Sequence, residues 1–503
     1  MALLPDYDTF ASAYDAGQNQ VVYTRLAADL DTPVSLMLKL NGAGKNAFML
    51  ESVTGGEVRG RYSIIGMNPD LIWECRGTES RVNRSARFDQ AAFKACADDP
   101  LTALRGLIDE SRIDLPADLP GAAAGLFGFL GYDMIRLVER LPNVNPDPLG
   151  LPDAVMLRPS VVAILDGVKS DVILVATAWA DSGLSAKAAY AQAAERVMDA
   201  ERALERPAAV ESRHLSDPDP VEPPVSNFTH EGYLDAVEKA KEYIKAGDIF
   251  QVVPAQRWTQ EFREPPFALY RSLRRTNPSP YMFYFNFGGY QVVGASPEIL
   301  VQVLGKKVTI RPIAGTRPRG ATPEEDKANE ADLLADKKEL AEHLMLLDLG
   351  RNDTAKVTKV GTMHPTEQFV VEYYSHVMHI VSNVVGELAD DQDALSAFFA
   401  GMPAGTVSGA PKVRAMEIID ELEPEKRGVY GGGCGYFSAN GDMDMCIALR
   451  TAIVQDQKLY VQAGGGVVYD SDPEMEYQET VHKSNAIRKA AADAAMFTGG
   501  GNR

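Results

Sequence analysis

Apolar strands in this chain come in runs and do not alternate with helices, and that order restricts the fold more than any other feature. Tyr281 to Phe287, Tyr290 to Gly294 and Ile299 to Leu304 follow one another, parted only by Gly288-Gly289 and Pro297-Glu298. A Gly305 turn then leads into a strand at Val308-Thr309-Ile310, so the segment reads as a meander. Tyr436 to Ser438, Met445 to Val454 and Leu459 to Gln462 repeat the pattern, with Asn440-Gly441 as a hairpin turn. Val161 to Leu165 and Val172 to Ala176, around Asp166-Gly167, make a further hairpin. Asn46 to Leu50 reads as a buried strand ending at Glu51-Ser52 before a Gly55-Gly56 turn, and the small apolar stretch Gly121 to Gly131 suits close interior packing. A parallel fold would alternate strand and helix. This order predicts an α+β fold with a large antiparallel or mixed sheet and flanking helices.

Helical spacing covers Ala186 to Leu204 and Thr229 to Ala246, where Tyr233, Val237, Ala240 and Ile244 share a face. Between them, residues 205–227 are rich in Pro, Asp, Glu and Ser, which divides the chain into an N-terminal domain 20–204, a linker 205–227 and a C-terminal domain 228–495. The 50 basic and 70 acidic residues leave a net charge of −20. Nucleic acid and anionic membrane are thereby disfavoured as partners, and an anionic substrate would need local cations or a metal. Cys75, Cys96, Cys434 and Cys446 show neither zinc spacing nor a disulfide framework. With no signal-peptide pattern and no apolar run long enough for a bilayer, a cytoplasmic location is expected.

Two carboxylate pairs carry the chemistry. Asp336 followed by Glu339 starts a helix in which Leu340, Leu344 and Leu347 form one apolar stripe and Met345, Leu346 and Leu349 load another, so the helix is expected to be enclosed. Glu339 and Glu342 share one face of it. Glu476 and Glu479 have the same spacing on a helix opened by Asp472-Pro473. Paired carboxylates in apolar surroundings repel unless a cation holds them, and oxygen-only donors favour Mg²⁺. Glycine-bearing loops at Pro312 to Thr316, Pro403 to Lys412 and Gln462 to Val467 would let backbone amides meet a ligand, with Pro411-Lys412 suggesting an anion site at a helix start. Cys434 in Gly-Gly-Cys-Gly-Tyr has no following His-x-Glu and reads as a packed residue, not a glutaminase nucleophile. His376 and His379 are each candidates for an acid, base or orienting group.

Pro312-Ile313-Ala314-Gly315-Thr316-Arg317-Pro318, Glu342-His343-Leu344-Met345-Leu346-Leu347-Asp348-Leu349-Gly350-Arg351-Asn352-Asp353, the Pro403 to Met416 segment, and Tyr430-Gly431-Gly432 through Cys446-Ile447-Ala448-Leu449-Arg450 together closely resemble the chorismate-using enzymes of the anthranilate synthase component I family. The resemblance covers residues 20–495 nearly throughout. It implies an α/β sandwich of two subdomains with chorismate and Mg²⁺ between them, Glu342 and Glu479 ligating the ion directly and Glu339 and Glu476 helping. It further implies chorismate contacts from Gly315, Thr316, Tyr430, Arg450, Gly464, Gly465 and Gly466, with Glu298 as general acid, His379 as the active-site histidine and Thr406 as a further contact. Relatives that add water carry a lysine where Gln251 stands, and aminodeoxychorismate synthases commonly carry one where Ala314 stands, so both positions favour ammonia addition to give anthranilate and pyruvate. The resemblance also implies a separate glutamine amidotransferase subunit as ammonia source, in a heterotetramer of two of each. Feedback inhibition by L-tryptophan is implied at Leu50-Glu51-Ser52 and Asn277 to Met282, with Ser52, Pro280, Tyr281 and Met282 as contacts. Aminodeoxychorismate synthase component I and a non-catalytic tryptophan-sensing subunit are the alternatives.

Overall fold

The computed structural model describes residues 2–40, 44–53, 60–142, 144–208, 223–374 and 377–498. The Gly55-Gly56 turn, most of the acidic linker and His376 lie outside them.

Every strand pairing described is antiparallel, and two long strands organise the whole. Tyr62–Arg76 and Ala154–Asp166 pair along their length, with an irregularity between Pro69 and Leu71. Beyond that point they leave one sheet and enter another. With their outer halves, the first sheet runs through Gln20–Ala27, Asp171–Ala178, the two long strands, Ala47–Glu51, Tyr281–Asn286, Tyr290–Ser296, Thr451–Gln455, Lys458–Gly464 and Ala255–Glu261. The second continues from the other halves through Gly125–Leu130, Gly433–Ser438, Met443–Ile447, Ile299–Leu304, Lys307–Ile310 and Val377–Glu387. Strands from 20–204 and from 228–495 thus share both sheets.

The inner faces meet in an aromatic core, where Phe48 of the first sheet stacks on Phe127 of the second at 4.5 Å between ring centroids. Gly66 leaves room for this contact, because a Cβ there would lie 2.2 Å from the Phe48 ring. Helices cover both outer faces: Ala186–Leu204, Pro266–Thr276 and Pro473–Ala492 pack on the first sheet, Pro100–Glu110 and Ala394–Gly401 on the second. The result is a four-layer sandwich.

Three sequence readings need correction. The meander is interrupted, because Tyr290–Ser296 pairs with Thr451–Gln455 while Ile299–Leu304 pairs with Met443–Ile447. Met445 to Val454 is two strands, parted where Arg450 takes a left-handed φ of 48°. The expected loop Pro312 to Thr316 lies almost wholly in a strand, Ile313–Pro318, bulged between Ala314 and Thr316 with Gly315 at φ 70°.

Candidate functional site

Two helix starts supply the acids. The helix Lys337–Ala355 is capped by Asp336, whose side chain accepts from the amides of Lys338 and Glu339 at 2.9 and 3.2 Å. Pro473–Ala492 is capped by Asp472, which accepts from Met475 N at 3.0 Å. The first helix is less enclosed than its composition suggests: Leu346 and Leu347 are buried, but Leu344 is 56% exposed. Its carboxylates therefore lie on the flank of a packed face.

The Gly464–Gly466 loop joins the two pairs. A Cβ on Gly465 would meet Glu476 Oε2 at 3.1 Å and Glu479 Oε2 at 3.5 Å, while one on Gly466 would meet Gln251 Nε2 at 2.7 Å and Glu342 Oε1 at 3.9 Å. Gln251 donates to Glu342 at 3.0 Å. Glu339 reaches Arg317 at 3.2 Å and sits against Gly315, so Glu342, Glu476 and Glu479 border the Gly464–Gly466 loop and Glu339 the neighbouring strand bulge. Their environments differ. Burial, with Glu479 beside it, pushes Glu476 up to about 7; burial and Glu342 raise Glu339. Glu479 is only partly buried, and Lys483 at 2.8 Å holds it below the usual carboxylate range.

On the adjoining wall Glu298 is 6% exposed and burial lifts its carboxyl to about 8, against the opposing hydrogen bonds from Thr406 and the Ile313 backbone. Thr406 donates to its two oxygens at 3.2 and 3.3 Å. The bulge at Gly315 turns that residue's carbonyl toward His379, which lies 2.9 Å from it through Nδ1. A carbonyl only accepts, so Nδ1 carries the proton and Nε2 is left as the acceptor. Burial, and then the charges of Arg450 and Lys483, hold the imidazole below its ordinary range. Thr316 Oγ1 is 3.1 Å from the same nitrogen.

Arg450 projects from the break between its two strands. Its guanidinium makes no ion pair or hydrogen bond among the described residues, and burial lowers its pKa, with Tyr430 and Glu479 opposing. Tyr430 is buried, its hydroxyl raised to about 12 by that burial and hydrogen-bonded to the Gly464 backbone. Glu298, His379 and Glu479 all feel the Lys483 ammonium, which also donates to the Gly464 carbonyl at 3.0 Å. The sequence reading missed Lys483; its spacing four residues after Glu479 was the available signal.

Buried cations lock the loops behind this space. Arg427, paired with Glu423 at 2.5 Å, donates to the carbonyls of Val407 and Val253 at 2.6 Å each, tying the Thr406 segment to the Gln251 segment. Lys412 is not an anion site: its ammonium is buried against Asp353 at 2.7 Å and Gly401 O at 3.2 Å, clamping the 403–411 segment to the first acidic helix. Cys434 is buried and raised well above the usual thiol range by that burial. Ser52, Pro280, Tyr281 and Met282 lie together on the neighbouring strands Ala47–Glu51 and Tyr281–Asn286 or just beyond their ends, with Val53 N donating to Ser279 O at 3.2 Å. Met282 is 1% exposed, and Glu51 is buried against Tyr270 and Arg274.

Among the described residues no three acidic, histidine or cysteine side chains form a ready-made metal cage. The donor set nevertheless suits a hard cation that keeps several waters, since it is all carboxylate and Glu476, raised to about 7 by burial and then by Glu479, would be relieved by a bound positive charge. No described helix is long and apolar enough to cross a membrane.

Residues 63–489 match the family model for chorismate binding enzymes. Anthranilate synthase component 1 of Cereibacter sphaeroides is 72% identical over 494 residues, covering 98% of this chain and 99% of its own. That of Pseudomonas putida is 48% identical over 474 residues, covering 92% and 94%. The structure of anthranilate synthase component I from Streptococcus pneumoniae TIGR4 superposes with a TM-score of 0.76 at 38% identity, covering 92% of this chain and 99% of that one. The menaquinone-specific isochorismate synthase of Escherichia coli, at 19% identity and a TM-score of 0.71 over 97% of this chain and 100% of its own, shares the fold. The chain belongs to the chorismate-binding enzymes and, within them, to the anthranilate synthase component I family.

Proposed function

We propose that this chain, as component I of a two-component enzyme, converts chorismate and ammonia to anthranilate, pyruvate and water. The observation that carries the reading is Glu298: a buried carboxyl raised to about 8 beside Thr406, within the field of the same Lys483 ammonium that acts on His379 and Glu479. Arg450 takes a substrate carboxylate in a charge-assisted hydrogen bond. Glu298 gives its proton to the C4 hydroxyl, which leaves as water while ammonia bonds to C2 and the ring double bonds shift. His379 Nε2 then takes the C2 proton, the C3–oxygen bond breaks and the side chain departs as the enolate of pyruvate, which takes up a proton at carbon to become pyruvate, leaving an aromatic ring. Glu342 and Glu479, with Glu339 and Glu476, would hold Mg²⁺, which would supply positive charge to offset the acids and to favour an anionic substrate. Gln251 has no proton-accepting nitrogen, which favours a supplied nucleophile over activated water.

Relatives named component 1 support a partner component, here taken to be a glutamine amidotransferase that delivers ammonia. L-tryptophan is proposed as a feedback inhibitor bound at Ser52, Pro280, Tyr281 and Met282. The decisive assay mixes the chain with chorismate, Mg²⁺ and ammonium at raised pH and follows anthranilate fluorescence. Product should form without a partner or an added lyase, and EDTA or Glu342→Gln should abolish it. Accumulation of a non-aromatic aminated product would instead favour aminodeoxychorismate synthesis, and no turnover at all would favour a sensing subunit.

A further inference from the structure

A second cavity, of about 180 Å³, lies away from these residues, between the helix Ala186–Leu204, the end of the strand Asp171–Ala178 and residues 84–88. Its lining is basic in a chain of net charge −20. Arg84, Arg87 and Arg196 face it with one carboxylate, Asp70. That carboxylate is already engaged, by Arg158 at 2.7 Å and by the Trp179 indole at 2.5 Å. Arg84 is likewise forked onto Glu110 at 2.7 and 2.8 Å. Glu195 and Asp181, the other acids nearby, are exposed and do not line the cavity.

Arg87 and Arg196 are left over. Arg87 lies over the Phe88 ring, 5.6 Å from its centroid, and forms no ion pair among the described residues. Arg196 donates to the Thr177 carbonyl, but its Nε and the Thr177 hydroxyl are buried without a partner. Burial, and then the charge of Arg87, bring the Arg196 guanidinium down to about 10. Stranded donors and two unpaired like charges around one space are costly, and a bound anion answers both. The walls add shape: Phe88 is 89% exposed, and Trp179 is held rigid by Asp70 and by Arg158 at 4.1 Å. Flat apolar surfaces beside paired guanidiniums suit a flat ligand with one anionic end.

We propose that this cavity is a second ligand site, taking a small aromatic or enoic carboxylate whose charged end lies between Arg87 and Arg196 and whose body lies against Phe88 and Trp179. Benzoate is the probe, the full chain the sample and Trp179 fluorescence the readout. Saturable quenching is expected, absent in Trp179→Phe and about tenfold weaker in affinity in Arg196→Gln. Arg87 is exposed, so Arg87→Gln tests the site without threatening the fold; it should weaken benzoate several-fold and leave chorismate turnover unchanged. Equal affinity in wild type and both arginine variants would overturn the proposal, as would absence of quenching at ~10 mM benzoate. Inorganic phosphate binding as tightly as benzoate would overturn the flat-ligand assignment. None of these outcomes depends on the reaction proposed above.

Discussion

Burial lifts the Glu298 carboxyl to about 8, so it is protonated at neutral pH and able to serve a departing hydroxyl. Two consequences follow from the sign of that shift. At a fixed concentration of free ammonia, kcat/KM for chorismate should fall as pH rises through about 8, and Glu298→Gln should remove both the activity and that limb. A carboxyl whose folded pKa lies above its unfolded value contributes stability below pH 4.5 that is lost as pH climbs toward 8. Glu298→Gln should therefore raise the melting temperature at pH 8 relative to wild type, which differential scanning calorimetry would read. Arg450 offers a second test: a half-buried guanidinium without a protein partner should be worth about 2–3 kcal/mol to an anionic substrate, so Arg450→Gln should raise KM for chorismate by roughly 30- to 150-fold. At this scale the motifs point to residue types, but not to their environments. Nothing in Ser-Pro-Glu announces a carboxyl sealed from water, and Lys483 was hidden in an ordinary helical i, i+4 pair.

The helix caps at Asp336 and Asp472 are local, and both helices begin where their sequences place them. Their convergence is not local. It depends on the Gly464–Gly466 segment, which continues the strand Lys458–Gly464 and passes between the acids without side chains to obstruct them. Gly465→Ala would press a methyl against Glu476 Oε2 at 3.1 Å. The expected outcome is a Mg²⁺ requirement raised about tenfold or more with the fold intact, checked by titrating Mg²⁺ against anthranilate formation and by circular dichroism. An unchanged Mg²⁺ requirement would place the ion elsewhere. The Lys412 reading failed for a related reason: its helix start is real, but Asp353 from another helix takes the ammonium first.

Across the molecule, the strand edge proposed for tryptophan is hydrogen-bonded into the segments that carry Glu298 and Arg450. Tyr281 pairs with Ser296, whose hydroxyl accepts from Glu298 N at 3.3 Å, and Ala295 N donates to Arg450 O at 3.1 Å. A ligand that shifts the Ser52–Tyr281 edge would thus move Glu298 and Arg450 through one ladder. Ser52→Phe should relieve tryptophan inhibition while leaving uninhibited turnover within about twofold, as read from inhibition curves at saturating chorismate; retained sensitivity would remove the site. Strand periods, helix caps, net charge and carboxylate spacing were determined by the sequence alone, because each is a relation between near neighbours in the chain. Which strands meet was decided only by the tertiary structure. Ser296 faces Tyr281, Gln251 faces Ala410, and two distant helix starts face one glycine loop, because antiparallel backbone hydrogen bonds and a shared core between two sheets bring together segments that no local pattern connects.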